Sequence, residues 1–451
     1  MQLLLFFDIY VKYNIFINNL WRMDIIKVYC ILGGFMSKKS IVIMFAYVGV
    51  VTGAGLASGQ ELLQYFISLG IPGLVGISVV GLLHILFGGV LLQLGSHYMA
   101  TDHSDVFGEI TNKFIGKFMD LALIFTCFVI GFVMIAGAGS NLNQAFDIPK
   151  WIGQVICASM IIVVGLLDFE KVSKIIGSFT PMILVFTLIG SIYTFVNYSP
   201  DWTYLDSVAR NLPSNFNNVV FAIFNYYGMC LMSGVSMGFV LGGEELDPRE
   251  AGIGGLLGGA IAGILGVLIS FTLFIRVDEV GNLDIPMLSV INSIHPILGF
   301  LMALVIFGMI FNTGISLFYA LARRFSNDSE KSFRIMLISL TLIGFVLSFG
   351  GFKKLVSIFY PIIGYVGMFM MALLLISWYR EKSSIKYEKY KRLGIRSYMR
   401  KKMDDNEDFS KEDKKRLDKL IDRSNIDNEQ MTQAAEDYVR KELEEEQEDQ
   451  E

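Results

Sequence analysis

The chain's densest chemistry lies in one stretch: Thr52, Gly53, Ala54, Gly55, Leu56, Ala57, Ser58, Gly59, Gln60 and Glu61. Gly49, Gly53, Gly55 and Gly59, with Thr52 and Ser58 among them, sit in an otherwise apolar run and weaken its helical propensity. A break there frees amide N–H groups at the start of the second half-helix and carbonyls at the end of the first. The N–H groups, with the half-helix dipole, suit a carboxylate, and the carbonyls suit a cation. Gly53, Ala54, Gly55 and Ser58 are therefore candidate substrate-binding residues, and Gly49 and Thr52 candidate ion-binding residues. The competing reading is a continuous helix whose glycines serve close packing. Glu61 is the one Asp, Glu, Lys or Arg set well inside an apolar run, about 9 Å beyond Gly55 along a helix. A carboxylate at that depth is a candidate proton carrier, gate or counter-charge to a substrate amine, or else a group reaching an aqueous vestibule.

Two further patches share this character. Asn225, Tyr226 and Tyr227 before Gly228 place hydroxyls and an amide at lipid depth, where they need partners. They predict a second broken helix facing a cavity, against the alternative of a tyrosine pair at a helix interface. Asn312, Thr313 and Ser316 fall on roughly one helical face and could complete a Na⁺ shell or hydrogen-bond between helices. Gly234–Gly238 fits G-x-S-x-G around Ser236, but the nucleophile elbow needs a preceding strand. An intramembrane hydrolase would need a histidine beside Ser236, and His84 is the one deeply placed candidate; alone, His84 reads as packing. Cys30, Cys127, Cys157 and Cys230 lack metal-ligand spacing and read as small packing residues. Neither an enzyme, a cofactor nor a metal beyond Na⁺ is expected.

The elements that hold these residues follow from composition. Of 451 residues, 53% are hydrophobic and only 18% charged, and the charge crowds into 380–451. A soluble α/β enzyme needs charge on every outward helix face, so most of the chain cannot be one. Ten runs free of strong charge are long enough to span a bilayer: roughly 41–69, 71–98, 121–140, 151–167, 175–197, 218–241, 251–275, 296–322, 335–350 and 355–379. Basic residues cluster on the face shared by Lys38, Lys39 and the tail, which puts both termini in the cytoplasm. KIIGSFTPMI at 174–183 and KLVSIFYPII at 354–363 match at a constant offset and centre on Pro181 and Pro361. Ten spans thus divide as five plus five with the second copy inverted, as in many secondary transporters. The predicted organisation is an N-terminal extension at 1–35 that reads as a misassigned start or an interfacial helix. It is followed by one repeat at 40–197, a second at 218–379, and a charged, solvated cytoplasmic tail at 380–451.

The stretch TGAGLASGQELLQYF, with a second run ending LLQLGSHY, resembles the YkvI-type amino acid permeases. They belong to the amino acid–polyamine–organocation superfamily with the LeuT-like five-plus-five fold. The likeness covers about 40–379, and GAGxASGQE is its most specific part. It implies that Gly53-Ala54-Gly55 matches the unwound motif of the sodium-coupled symporters. Ala54 and Gly55 would then hold a substrate carboxylate, Gly49 and Thr52 would offer carbonyls to a structural sodium, and Thr313 would approximate its eighth-helix ligand. Leu56 replaces an asparagine those symporters use at a second sodium, and the third run lacks their tyrosine.

The expected protein is an all-α, polytopic membrane protein of ten transmembrane helices with helices 1 and 6 broken. It would be a secondary active transporter in a bacterial inner membrane, moving an amino acid or related amine or carboxylate by alternating access with H⁺ or Na⁺ coupling. The alternative is a ligand sensor on the same fold that does not transport. The partners implied are a small solute and the lipid bilayer, not nucleic acid; what the tail binds is open.

Overall fold

The computed structural model describes residues 38–167, 179–326, 329–404 and 407–448, and among them every regular element is a helix. The expected extension at 1–35 and most of the 174–183 repeat lie outside the described residues. Among the described residues, seven helices are long and apolar enough to cross a membrane: Ile71–Tyr98, Lys113–Phe146, Val219–Gly243, Pro248–Ile275, Pro296–Phe325, Glu330–Ser348 and Phe352–Met403. Three shorter apolar helices, Lys39–Val51, Lys150–Gly165 and Pro181–Asn197, fall where the first, fourth and fifth runs were expected. Below, these ten apolar helices are numbered in chain order. Several begin at a side chain that satisfies their free N–H groups. Asn112 accepts from the N–H groups of Phe114 (3.1 Å) and Ile115 (2.9 Å) to open the third, and Asn218 from Val220 (2.8 Å) to open the sixth. Asp247 accepts from Arg249 (2.8 Å) to open the seventh, with Pro248 in its first turn.

The first apolar run is broken twice. Lys38–Val51 ends where the Thr52 N–H and hydroxyl both donate to the Val48 carbonyl, at 2.8 and 2.6 Å. A short helix Ala54–Ser58 follows, then Gln60–Tyr65, with Gly59 between them at φ 78°. That left-handed turn strains any residue with a Cβ, and a Cβ there would also meet Leu273 Cδ1 at 2.6 Å. The sixth helix corrects the expectation of a second break: Val219–Gly243 is continuous through Gly228. Its glycine answers a different demand. A Cβ on Gly228 would lie 2.6 Å from the Gly364 carbonyl oxygen and 2.8 Å from the Met368 nitrogen, so the residue is small to let the tenth helix approach. The seventh helix is glycine-rich for the same kind of reason, since Gly255 and Gly259 lie against the Gly88 and His84 carbonyls of the second.

The tail is not a solvated appendage. The tenth helix runs unbroken from Phe352 to Met403, 52 residues, so the expected boundary at 380 falls inside it. At 1.5 Å per residue it is about 78 Å long, more than twice a hydrocarbon core. Helices Lys411–Ile421 and Asn428–Glu448 fold back on its outer half. Together they bury a second apolar core of Ile395, Met399, Leu417, Ile421, Met431, Ala435 and Val439 against Met99 and Leu246. Arg392 fastens this unit to the end of the second helix. Its guanidinium donates to the Ser96 and His97 carbonyls, both at 2.7 Å, and to Asn425 Oδ1 at 3.1 Å, while Glu388 lies 3.6 Å from Nε. Carbonyls at a helix C-terminus have no partner within the helix, and a cation there also complements the dipole. Lys39, at the base of the first helix, reaches Glu442 (3.4 Å) and lies 3.8 Å from the Tyr438 ring centre.

Removing one partner of a buried ion pair costs about 3 kcal/mol or more. Arg392→Ala should therefore loosen the tail, and limited proteolysis of the purified protein should cleave within 404–448 faster than in the wild type. Equal protection would mean that the apolar core alone holds the tail.

Candidate functional site

A cavity of about 130 Å³ lies at the break in the first helix. Gly49, Thr52, Gly53, Ala54, Gly55 and Glu61 form one wall, and the second, third, sixth, seventh, eighth and tenth helices supply the others. The left-handed turn at Gly59 re-aims the chain, so that Glu61, in the first turn of Gln60–Tyr65, points back toward the break rather than along a straight helix. Its carboxylate lies directly against Gly55, where a Cβ would coincide with Glu61 Oε1. The Tyr226 hydroxyl donates to Glu61 Oε2 at 3.4 Å, and the Tyr360 hydroxyl also bonds the carboxylate. Among the described residues lining the cavity, Glu61 is the one Asp or Glu, and there is no Lys or Arg. Two buried polar atoms on its walls have no hydrogen-bond partner: Asn312 Oδ1 and His84 Nδ1.

The side of the cavity away from the tail is roofed by aromatic rings. Tyr226 packs against Tyr65 and Phe66, with ring centres 5.2 Å away in each case, and Tyr65 against Phe216 at 5.5 Å. Polar contacts pin this roof. The Tyr65 hydroxyl donates to Asn225 Oδ1 (3.0 Å), the Asn225 amide to the Pro361 carbonyl (3.0 Å), and Gln64 to the Lys353 carbonyl (3.0 Å). On the tail side, Gly49 and Ser233 line the cavity and are exposed, so its mouth faces that way.

Of the residues singled out from sequence, the fold gathers Gly49, Thr52, Gly53, Ala54, Gly55, Glu61, Tyr226, Asn312 and Thr313 around the cavity. It leaves five outside the lining. Ser58 closes the short helix instead, donating to the Gly55 carbonyl (2.8 Å) and accepting from the Gln60 N–H (3.2 Å). Asn225 is a strut of the roof, and Gly228 is a packing glycine. Tyr227 turns away to stack edge-on against His84 at 4.8 Å. Ser316, one turn past Thr313, does not reach the cavity wall. Sequence reading missed Tyr360 and treated His84 as packing, though both line the site. Tyr360 immediately precedes Pro361, and the repeat motif around that proline was the signal that could have marked it.

Ser236 has a different histidine from the one expected. His103, in a short helix after the second span, lies 3.1 Å from Ser236 Oγ through Nδ1 and 3.2 Å from Asp120 Oδ1 through Nε2, and Asp120 pairs with Arg324. The order resembles a hydrolytic triad, but Ser236 sits inside a continuous helix whose N–H groups are spent on backbone bonds. A nucleophile needs donors aimed at the developing oxyanion. The cluster instead ties the third, sixth and eighth helices together near the cavity mouth.

Comparison with known proteins agrees with this architecture. No protein-family model matches the chain. Over 335 residues it is 23% identical to the membrane protein YkvI of Bacillus subtilis (strain 168), covering 73% of this chain and 94% of that protein. Over 338 residues it is 25% identical to YyaD of the same organism, covering 74% and 95%. Among solved structures, MhsT in complex with L-phenylalanine aligns with a TM-score of 0.56 at 15% identity, over 88% of this chain and 97% of that one. A manganese transporter from Eremococcus coleocola aligns with a TM-score of 0.50 at 12% identity, over 89% and 94%. At these identities the structural likeness establishes the fold, which is LeuT-like.

Two glycines should respond oppositely to the same methyl group. Gly228→Ala pushes against backbone, which cannot yield, and should lower the unfolding free energy by about 1–3 kcal/mol. Gly55→Ala meets the flexible end of Glu61, which can swing aside, and should leave thermal stability near that of the wild type. Thermal unfolding of the two purified variants checks both; equal loss in each would mean that Glu61 is held rigidly over the break.

Proposed function

We propose that this chain, which is similar to YkvI and YyaD and has the LeuT-like fold, is a secondary active transporter of a small solute. The solute is an amino acid or a related amine or carboxylate, carried across the bacterial cell membrane by alternating access. The observation that carries this reading is the cavity at the unwound first helix, roofed by aromatic rings on one side and open on the other. Backbone left without helical partners is tolerated at membrane depth only where it is buried in protein or lines a water-filled cavity, and a transporter has a use for such a place. The open mouth on the tail side corresponds to an inward-facing state, with both termini in the cytoplasm as the basic residues suggest. Opening the other side requires the roof of Tyr65, Phe66 and Tyr226 to part from the tenth helix, which Gln64 and Asn225 hold.

Two coupling routes have residues at the cavity. Glu61 is a carboxylate that a proton could neutralise during the cycle. Gly49, Thr52 and Thr313 bring oxygen atoms to the same cavity, and the unpartnered Asn312 Oδ1 adds another acceptor suited to Na⁺. Imposed gradients in proteoliposomes separate them. Proton coupling predicts uptake that follows a pH gradient and loses that dependence in Glu61→Gln. Sodium coupling predicts uptake that follows a Na⁺ gradient and loses it in Thr313→Val.

The transport reading is tested by counterflow of radiolabelled amino acids, amines and carboxylates in proteoliposomes. Accumulation of at least one solute is expected, and Gly55→Val, which fills the cavity wall beside Glu61, should abolish it while the protein still folds. A solute that binds the purified protein but never accumulates would make it a sensor rather than a carrier.

A further inference from the structure

We propose that the central cavity recognises the ammonium group of a small primary amine without a free carboxylate, with Glu61 as its counter-charge; this rests on the cavity being the solute site. The first observation is what lies over Gly55. An amino acid bound through its carboxylate to the unwound first helix would place that group beside Gly55. Here the chain's own Glu61 carboxylate fills the position, close enough that a Cβ on Gly55 would coincide with Oε1. A second carboxylate would sit against the first, and no Lys or Arg among the described lining residues offsets the repulsion.

The second observation is the kind of polar group left unsatisfied. Asn312 Oδ1 is an acceptor, and so is His84 Nδ1 when the ring carries its proton on Nε2; both are buried, on the cavity walls and without partners. An ammonium brings three donors and no acceptor, whereas a carboxylate brings acceptors only. The Glu61 carboxylate and the unpartnered Asn312 Oδ1 and His84 Nδ1 atoms thus accept from the first and cannot donate to the second. The Tyr226 and Tyr360 hydroxyls meet Glu61, and their oxygens can also accept from an ammonium. Met134, Met229 and Met309 supply a polarisable apolar wall for the rest of the molecule. At about 130 Å³ the space admits a small solute.

The test uses the full-length protein purified in detergent, with affinity read by isothermal titration and thermal shift. Two matched sets serve as probes: 2-phenylethylamine, L-phenylalanine and 3-phenylpropanoate; then 3-methylbutylamine, L-leucine and 4-methylpentanoate. The amine of at least one set should bind at least tenfold more tightly than its amino acid, and the acids should not bind. Glu61→Gln, which keeps shape and removes charge, should weaken the amine at least tenfold, and Glu61→Asp should weaken it less. The wild-type ranking needs no variant, so it stands even if Glu61→Gln fails to fold. The proposal is overturned by an acid or amino acid that matches its amine, by amine binding indifferent to Glu61→Gln, or by no amine binding at all. Stabilisation by Na⁺ or K⁺ alone, lost in Glu61→Gln and unmatched by any amine, would likewise overturn it by making Glu61 an inorganic-cation ligand. Transport assays separate carrier activity from amine specificity. Uptake of a solute lacking an amino group leaves the carrier standing and removes its amine specificity. Amine binding without uptake of any solute does the reverse.

Discussion

Every backbone N–H and C=O at membrane depth must find a partner, and the first apolar run departs from the simplest solution. At Thr52–Gly53 and again at Gly59 the regular helical pattern of that run is interrupted. Such a break survives only inside a wrapper of other helices, and much of the remaining fold can be understood as that wrapper. The second and seventh helices press together through glycines against carbonyls, and the sixth and tenth do the same at Gly228, Gly364 and Gly367. Close backbone contact on both flanks lets the core exclude lipid from the broken segment while leaving a small cavity beside it.

The same break sets the chemistry. In a straight helix Glu61 would stand about 9 Å from Gly55. The left-handed turn at Gly59 folds it back until the two touch, and one acidic side chain becomes a feature of the cavity wall. Tyr226 and Tyr360 reach it from the sixth and tenth helices, and Tyr65 and Asn225 hold the roof above. The polar residues of this region do two separate jobs, facing the cavity or bracing its cover, and neighbours in sequence divide between them: Tyr226 faces in, while Asn225 braces.

A second dependence runs from the membrane body to the tail. The tenth helix is long enough to continue past a hydrocarbon region as one unbroken helix, so the tail's position is coupled to that helix. Arg392 and Asn425 cap the second helix, Tyr438 donates to Glu245 at the end of the sixth, and Lys39 of the first reaches Glu442. The tail therefore touches three of the helices that line the cavity, on the side where its mouth lies. Met99 and Leu246, contributed by the membrane body, complete the tail's apolar core.

The sequence by itself determined the helical class, the position of the apolar helices and the break in the first of them. These follow from local quantities: hydrophobic run length, the cost of glycine in a helix, and the penalty for burying charge. Glu61 was legible for the same reason, as a lone carboxylate in an apolar run. The sixth helix shows where local reasoning stops. Its Asn225-Tyr226-Tyr227-Gly228 patch carries the same signals as a break, yet it is continuous, because the glycine's role depends on a backbone 136 residues away in the chain. The same holds for Tyr360, His84 and His103, whose roles arise from neighbours that sequence spacing does not reveal. The tail was misjudged because its charge dominates its composition, while its apolar residues, spaced on one face of each helix, find their partner surface only when the helices fold back. Tertiary structure decided which polar groups face the cavity and which merely find each other, since that choice is made by three-dimensional proximity and not by the chain's local preferences.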